Sequence, residues 1–143
     1  MKKIIPVIAI LLLFLTSCDS GDMVGGRYYG TFNNLSNNMH EAGSLTFKYG
    51  VVDNSTCFFM NGILPMVQTS ENRFEGTIGD HLLKDLLKTI PAIDSIHVCD
   101  SAGTIILLSA DAEFKGSSVK SNLKFTTSND SSVVNVEFIG YFE

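Results

Sequence analysis

Alternation of apolar and polar residues with a period of two recurs along most of this chain and commits it to strands that bury one face. Leu45, Phe47, Tyr49 and Val51 alternate with Ser44, Thr46, Lys48 and Gly50. Phe74, Gly76 and Ile78 alternate with Arg73, Glu75 and Thr77, and Leu123, Phe125 and Thr127 with Asn122, Lys124 and Thr126. Val134, Val136 and Phe138 enclose Asn135 and Glu137. Successive side chains of a strand point to opposite faces, so each run has a dry face and a wet one, as in an antiparallel sheet laid over a core. Residues 105–108 are apolar throughout, which predicts a strand covered on both sides. Clusters rich in Asn, Asp, Ser and Gly separate the runs, around residues 33–38, 53–55, 70–72, 101–103 and 128–131. These residues tolerate left-handed backbone or bond their own main chain. The count of runs predicts a mainly β fold, an antiparallel meander of about eight or nine strands.

One segment breaks the period. After Asp80, a plausible N-cap, Leu82, Leu83, Leu86, Leu87 and Ile90 fall on one helical face with Lys84, Asp85 and Lys88 opposite, and Pro91 stops the run. A single amphipathic helix over residues 80–90 must bury its stripe on one face or one end of the sheet. A second regularity is an aromatic residue two before a glycine: Tyr28-Tyr29-Gly30, Phe74-Glu75-Gly76, Phe114-Lys115-Gly116 and Phe138-Ile139-Gly140. A glycine inside a strand weakens it unless a bend, a bulge or a close approach needs one. A closed barrel or strongly coiled sheet uses such points, with the aromatic filling the space left empty.

The N-terminal residues follow other rules. Lys2 and Lys3 precede an apolar run over residues 4–15, broken only by Pro6. That run is short of the roughly 20 residues a membrane-crossing helix needs, but suits the core of a signal peptide. It closes in Leu15-Thr16-Ser17-Cys18, which resembles the lipobox of bacterial lipoproteins. The resemblance implies a signal peptide over residues 1–17, cleavage before Cys18, and acyl chains on that cysteine as a membrane anchor. Residues 18–26 then read as a tether and residues 27–143 as one β-rich domain. Cleavage removes two of the 10 basic side chains and none of the 15 acidic ones. A domain so acidic repels nucleic acid, which is set aside as a partner.

Lipobox, polar tether, Tyr28-Tyr29-Gly30-Thr31 opening the first strand and Phe138-Ile139-Gly140-Tyr141 closing the last together resemble the small lipoproteins of Bacteroidota, several of which carry a calycin-like (lipocalin-like) β-barrel. The chain departs from lipocalins in placing its helix mid-chain and in lacking Trp, hence the opening Gly-x-Trp. Asp19-Ser20-Gly21-Asp22 behind the cysteine leaves the outer membrane and the cell surface both open as destinations. In the same phylum Asp-Ser followed by an apolar residue resembles an O-glycosylation signal, matched by Asp94-Ser95-Ile96 and Asp100-Ser101-Ala102.

Motifs that carry chemistry are missing. His40, His81 and His97 lack metal-ligand spacing, with only His97 and Cys99 falling on one face of one expected strand; no cofactor or metal is expected. There is no Gly-x-Ser-x-Gly elbow and no phosphate loop, and the acids fall mostly on wet strand faces. Cys57 and Cys99, both placed in strands, either pair or stay apart as small buried residues; a bridge closing a loop of about forty residues would add roughly 3–4 kcal/mol. Residues 58–67 are too apolar for an ordinary connection, and Pro65 keeps them from being central strand throughout. Phe59, Met60, Ile63, Leu64, Pro65 and Met66, beside Leu83 and Leu87 of the helix, form the candidate ligand or partner surface. These features together predict a non-enzymatic, lipid-anchored binding module for a partner protein or a small apolar ligand. The alternatives are a structural subunit of an outer-membrane assembly and a hydrolase working through carboxylates. The anchor has a direct test: Cys18→Ser is expected to abolish incorporation of labelled palmitate and release the protein from membranes, whereas unchanged labelling and partition would refute the lipobox.

Overall fold

A computed structural model describes residues 25–52, 54–76, 83–98, 105–127 and 130–143. Among them eight antiparallel strands follow in chain order: β1 (Gly26–Asn34), β2 (His40–Val52), β3 (Ser55–Met60), β4 (Leu64–Ser70), β5 (Arg73–Gly76), β6 (Ile105–Lys115), β7 (Ser118–Thr127) and β8 (Asp130–Phe142). Each pairs with the next, and β8 returns to β1, so the sheet closes into a barrel-like ring. The alternation in β2, β5, β7 and β8 supplies the buried face. Residues 105–108 differ from expectation: Leu107 is buried, but Ile106 and Leu108 are exposed on the outer face of β6, which no described element covers.

An up-and-down ring has two ends. One end, called here the terminal rim, gathers the start of β1, the end of β8 and the β2–β3, β4–β5 and β6–β7 turns. The other carries the β1–β2, β3–β4 and β7–β8 turns and the long β5–β6 connection, which supplies two short helices, α1 (Leu83–Lys88) and α2 (Ala92–Ser95). Leu86, Ile90, Ile93 and Ile96 from this stretch are buried and stopper that end. The single helix expected over residues 80–90 ends at Lys88 and is followed by a second; Asp80 and Leu82 lie outside the described residues, as does the side chain of Leu83. After α1 the Thr89 N–H and hydroxyl both donate to the Leu86 carbonyl, at 3.0 and 2.6 Å, and Pro91 follows. Pro91 also starts α2, because its φ of −61° is already helical. His97, at φ 50°, turns the chain out of that helix. The strand expected to carry His97 toward Cys99 is thus absent at residues 97 and 98; Cys99 lies outside the described residues.

Asparagines tie the stopper down. Asn34 Nδ2 and Asn37 Nδ2 both donate to the Ile96 carbonyl, at 3.0 and 3.1 Å. Asn61 Nδ2 donates to Thr89 Oγ1 at 3.0 Å, while its Oδ1 accepts the Thr46 N–H at 2.8 Å. Asn34 is almost fully buried, and its Oδ1 accepts the Ser36 N–H. Both ends of the amide are therefore satisfied, as a buried polar group requires.

The interior is filled with rings. Phe47 touches Tyr28, Phe58 and Phe114 with centroids 5.9, 5.9 and 5.0 Å apart, and Phe58 meets Phe74 at 4.3 Å. Stacked, edge and tilted pairs of this kind add about 0.5–1.5 kcal/mol each beyond burial. Burial among them pushes the Tyr28 hydroxyl above its ordinary pKa. Deeper in, Phe32 and Phe138 lie 4.5 Å apart. Their room comes from a row of glycines on three neighbouring strands: Gly43 pairs with Gly30, and Gly30 with Gly140. A methyl on Gly43 would stand 2.8 Å from the Phe32 ring, and one on Gly140 2.5 Å from the Phe138 ring. The sequence expectation that aromatics fill the space beside glycines holds at Phe138-Ile139-Gly140. Gly116 differs: it makes the β6–β7 turn at φ 59° with nothing within 4 Å.

Gly30 sits where the ring closes. A methyl there would fall on the Ile139 carbonyl and 2.6 Å from Gly140 Cα, which are backbone and cannot swing away. Gly30→Ala is expected to lower unfolding free energy by about 3 kcal/mol, the upper part of the overpacking range. Denaturant midpoints measure this, with Gly25→Ala as a near-neutral control, since its nearest neighbour is 3.7 Å away. Equal midpoints for the two variants would refute the tight seam.

Candidate functional site

The hairpin of β3 and β4 starts tightly and then comes apart. Asn61 and Gly62 take positive φ, 52° and 70°, and the Ile63 N–H donates to the Met60 carbonyl at 3.1 Å. Asn-Gly is the sequence that most readily supplies two such residues to a hairpin turn. From there Met60 pairs with Leu64, Phe59 with Pro65 and Phe58 with Met66, and the ladder ends. β3 nevertheless extends back to Ser55 alongside β2, and β4 runs on to Ser70 alongside β5. β4 follows β5 through an irregularity between Gln68 and Ser70, so β3 and β4 diverge toward the terminal rim.

The divergence opens a cleft of about 360 Å³. Phe58, Met66 and Phe74 form its floor, Tyr49 stands over Phe58 at 4.9 Å, and Pro65 and Val67 line its wall. Cys57, a free half-buried thiol on the margin, lies 3.8 Å from the Ser55 carbonyl. Two other hollows are smaller, about 230 and 260 Å³. One lies between the stopper and β2. The other is a polar groove along β2 flanked by Arg27 and Lys48. The cleft is the larger and the more apolar, so it is the best candidate for recognition.

The residues expected to form one apolar surface are divided by the hairpin. Met60 and Leu64 point inward and are buried, because alternation places them with Phe58 and Met66 on the core face. They are core, not an exposed lip. Met66 is also buried but floors the cleft. Phe59 and Pro65 pair on the outer face, half-buried, with the Phe59 ring against Gly50. Ile63 in the turn and Leu87 on α1 are half-buried against the core at the opposite end from the cleft mouth. Cys57 is likewise on the outer face, not in the core beside Phe58. Cys18, and Cys99 with any pairing to it, lie outside the described residues. Ser95 is exposed on α2; Ser101 lies outside the described residues. The reading from sequence missed Tyr49, Phe58, Phe74 and Val67 as site residues. Their pattern marks a buried strand face, and only the parting of β3 from β4 uncovers it.

Asp111 and Glu137 are engaged away from the cleft. Asp111 is held by Arg73 at 3.1 Å and by the Asn122 backbone and side chain at 3.1 and 3.0 Å, and Glu137 by Lys120 at 2.9 Å. That contact, chiefly a hydrogen bond to Glu137, raises the Lys120 pKa. Among the described residues no group of three or more His, Cys, Asp or Glu converges as a metal would require, and no helix is long and apolar enough to cross a membrane. Comparison with protein-family models, curated proteins and solved structures returned no match.

The cleft makes a measurable distinction between two methionines. Met60→Ala is expected to cost about 2–5 kcal/mol, because the hole it leaves is enclosed. Met66→Ala, whose space joins the open cleft, is expected to cost clearly less. Chemical denaturation compares them, and equal losses would mean that the cleft is closed.

Proposed function

We propose that this chain is an envelope lipoprotein, lipidated on Cys18 at the outer membrane or cell surface, whose barrel docks a partner protein without catalysing a reaction. The observation that carries the docking reading is the β3–β4 cleft, where an apolar floor lies between two strand edges that have left each other's ladder. An extended segment of a partner has main-chain groups for such edges and side chains for such a floor. The ring packing inside the barrel favours recognition at the surface over carriage of a small apolar molecule within. An eight-stranded up-and-down ring is the architecture that the resemblance to calycin-like lipoproteins of Bacteroidota implies.

Thiol reactivity tests the docking. Val67, exposed on the cleft wall, becomes Cys in a chain whose Cys57 and Cys99 are Ser; Lys124→Cys, on the outer face of β7, serves as control. An impermeant maleimide is expected to label position 67 several-fold more slowly in native envelope membranes than in the same protein purified into lipid vesicles, with position 124 unchanged. Equal rates at position 67 in both settings would overturn the reading.

A further inference from the structure

We infer that the terminal rim of the barrel rests on the bilayer, with Tyr29, Tyr49, Tyr141 and Phe142 in the lipid headgroup region, the β3–β4 cleft left open sideways through the barrel wall at Pro65 and Val67, and the helical stopper pointing away. The inference builds on the lipid anchor proposed at Cys18 and adds an orientation to it.

Chain length sets the first condition. β1 begins at Gly26, at the terminal rim, eight residues after Cys18. An extended chain spans at most about 3.6 Å per residue, which keeps the rim within roughly 29 Å of the acyl chains. The opposite end is farther by the height of the strands, so the short connection already favours rim-down placement.

The side chains of the rim set the second. Tyr141 pairs with Tyr29 on one side and with Ser118, the first residue of β7, on the other. The Phe142 N–H donates to the Ser117 carbonyl in the β6–β7 turn, and its ring lies against Gly26, which places both residues at the edge. β2 runs on past Phe47, the partner of Gly26, and carries Tyr49 and Val51 beyond the start of β1. Tyr29, Tyr49 and Tyr141 are 46, 55 and 62% exposed, and Phe142 is 43% exposed. All four tyrosines of the chain stand at this end, the fourth being the buried Tyr28. Tyrosine is the side chain, with Trp, that settles at a membrane–water interface, its ring among the acyl carbonyls and its hydroxyl wet. Arg27 lies over the Tyr29 ring at 5.6 Å and donates to its hydroxyl at 3.1 Å, leaving a cation at headgroup level. Exposed apolar residues near the other end, such as Leu35, Met39 and Val133, are aliphatic or sulfur-bearing and include no aromatic ring.

The chain has no Trp, so one introduced residue reports alone. Tyr141→Trp, Tyr49→Trp and, at the far end, Leu35→Trp are each made in the full lipidated protein and reconstituted into phosphatidylcholine vesicles carrying a spin-labelled lipid with its quencher near the headgroup. Two readouts are taken: flotation with the vesicles, and quenching of the floated protein. The expected result is flotation of all three, with quenching at positions 141 and 49 several-fold stronger than at 35. Flotation with equal quenching at the three positions overturns the orientation and leaves the anchor standing. Protein that fails to float overturns the anchor, and the orientation with it. Using two rim positions keeps the outcome decisive if one variant folds poorly.

Discussion

The barrel depends on three glycines in a row. Eight strands give an interior with room for side chains and little else. This chain fills it with Tyr28, Phe32, Phe47, Phe58, Phe74, Phe114 and Phe138. Rings of that size fit because Gly43, Gly30 and Gly140, opposite one another on β2, β1 and β8, leave the wall thin where Phe32 and Phe138 fold over it. The same thinness lets β1 and β8 approach closely enough to close the ring. A packed interior and a closed seam are thus one structural fact, and they move any recognition from the inside of the barrel to its surface.

The two ends differ in kind. At the stopper end, apolar residues of the β5–β6 connection are pinned by asparagine amides, two of which, from the buried Asn34 and from Asn37, meet on the Ile96 carbonyl. At the terminal rim, the aromatic layer shows partly through: Tyr49 overhangs it, and Phe58, Met66 and Phe74 are reached where β3 leaves β4. Stability sits in the seam and the stopper, and adaptability in the diverging strands, where local opening disturbs the fewest contacts.

Much of this was legible from residue order. Alternation identifies β2, β5, β7 and β8, and glycine two places after an aromatic marks Gly30 and Gly140, which the fold pairs across the seam. What failed did so for physical reasons. Pro91 read as a helix stop, and it is one, but its fixed φ also begins the next turn of helix, and Ala92, Ile93 and Ile96 repeat at helical spacing behind it. The apolar run over residues 58–67 reads as a lip only if it is taken as one stretch; its Asn61-Gly62 turn folds it into a hairpin, and alternation sends Met60 and Leu64 inside. Tyr49 and Val51 match the core face of β2 in pattern and are exposed only because β2 outruns β1, a matter of where the paired strand begins. The cleft is of the same origin: no local signal states that two neighbouring strands will part after three pairs.

Amide hydrogen exchange on the intact protein addresses the closed seam and the frayed hairpin together. The amides of Thr31, Phe32, Phe138 and Ile139 along the β1–β8 seam are expected to exchange only through global unfolding. Those of Thr56 and Gln68, which alternation turns toward the opened β3–β4 side just past the last pair, are expected to exchange orders of magnitude sooner. Uniform protection across both sets, or a seam that exchanges as fast as the β3–β4 edges, would contradict a ring closed through glycine with its one loose joint at the cleft.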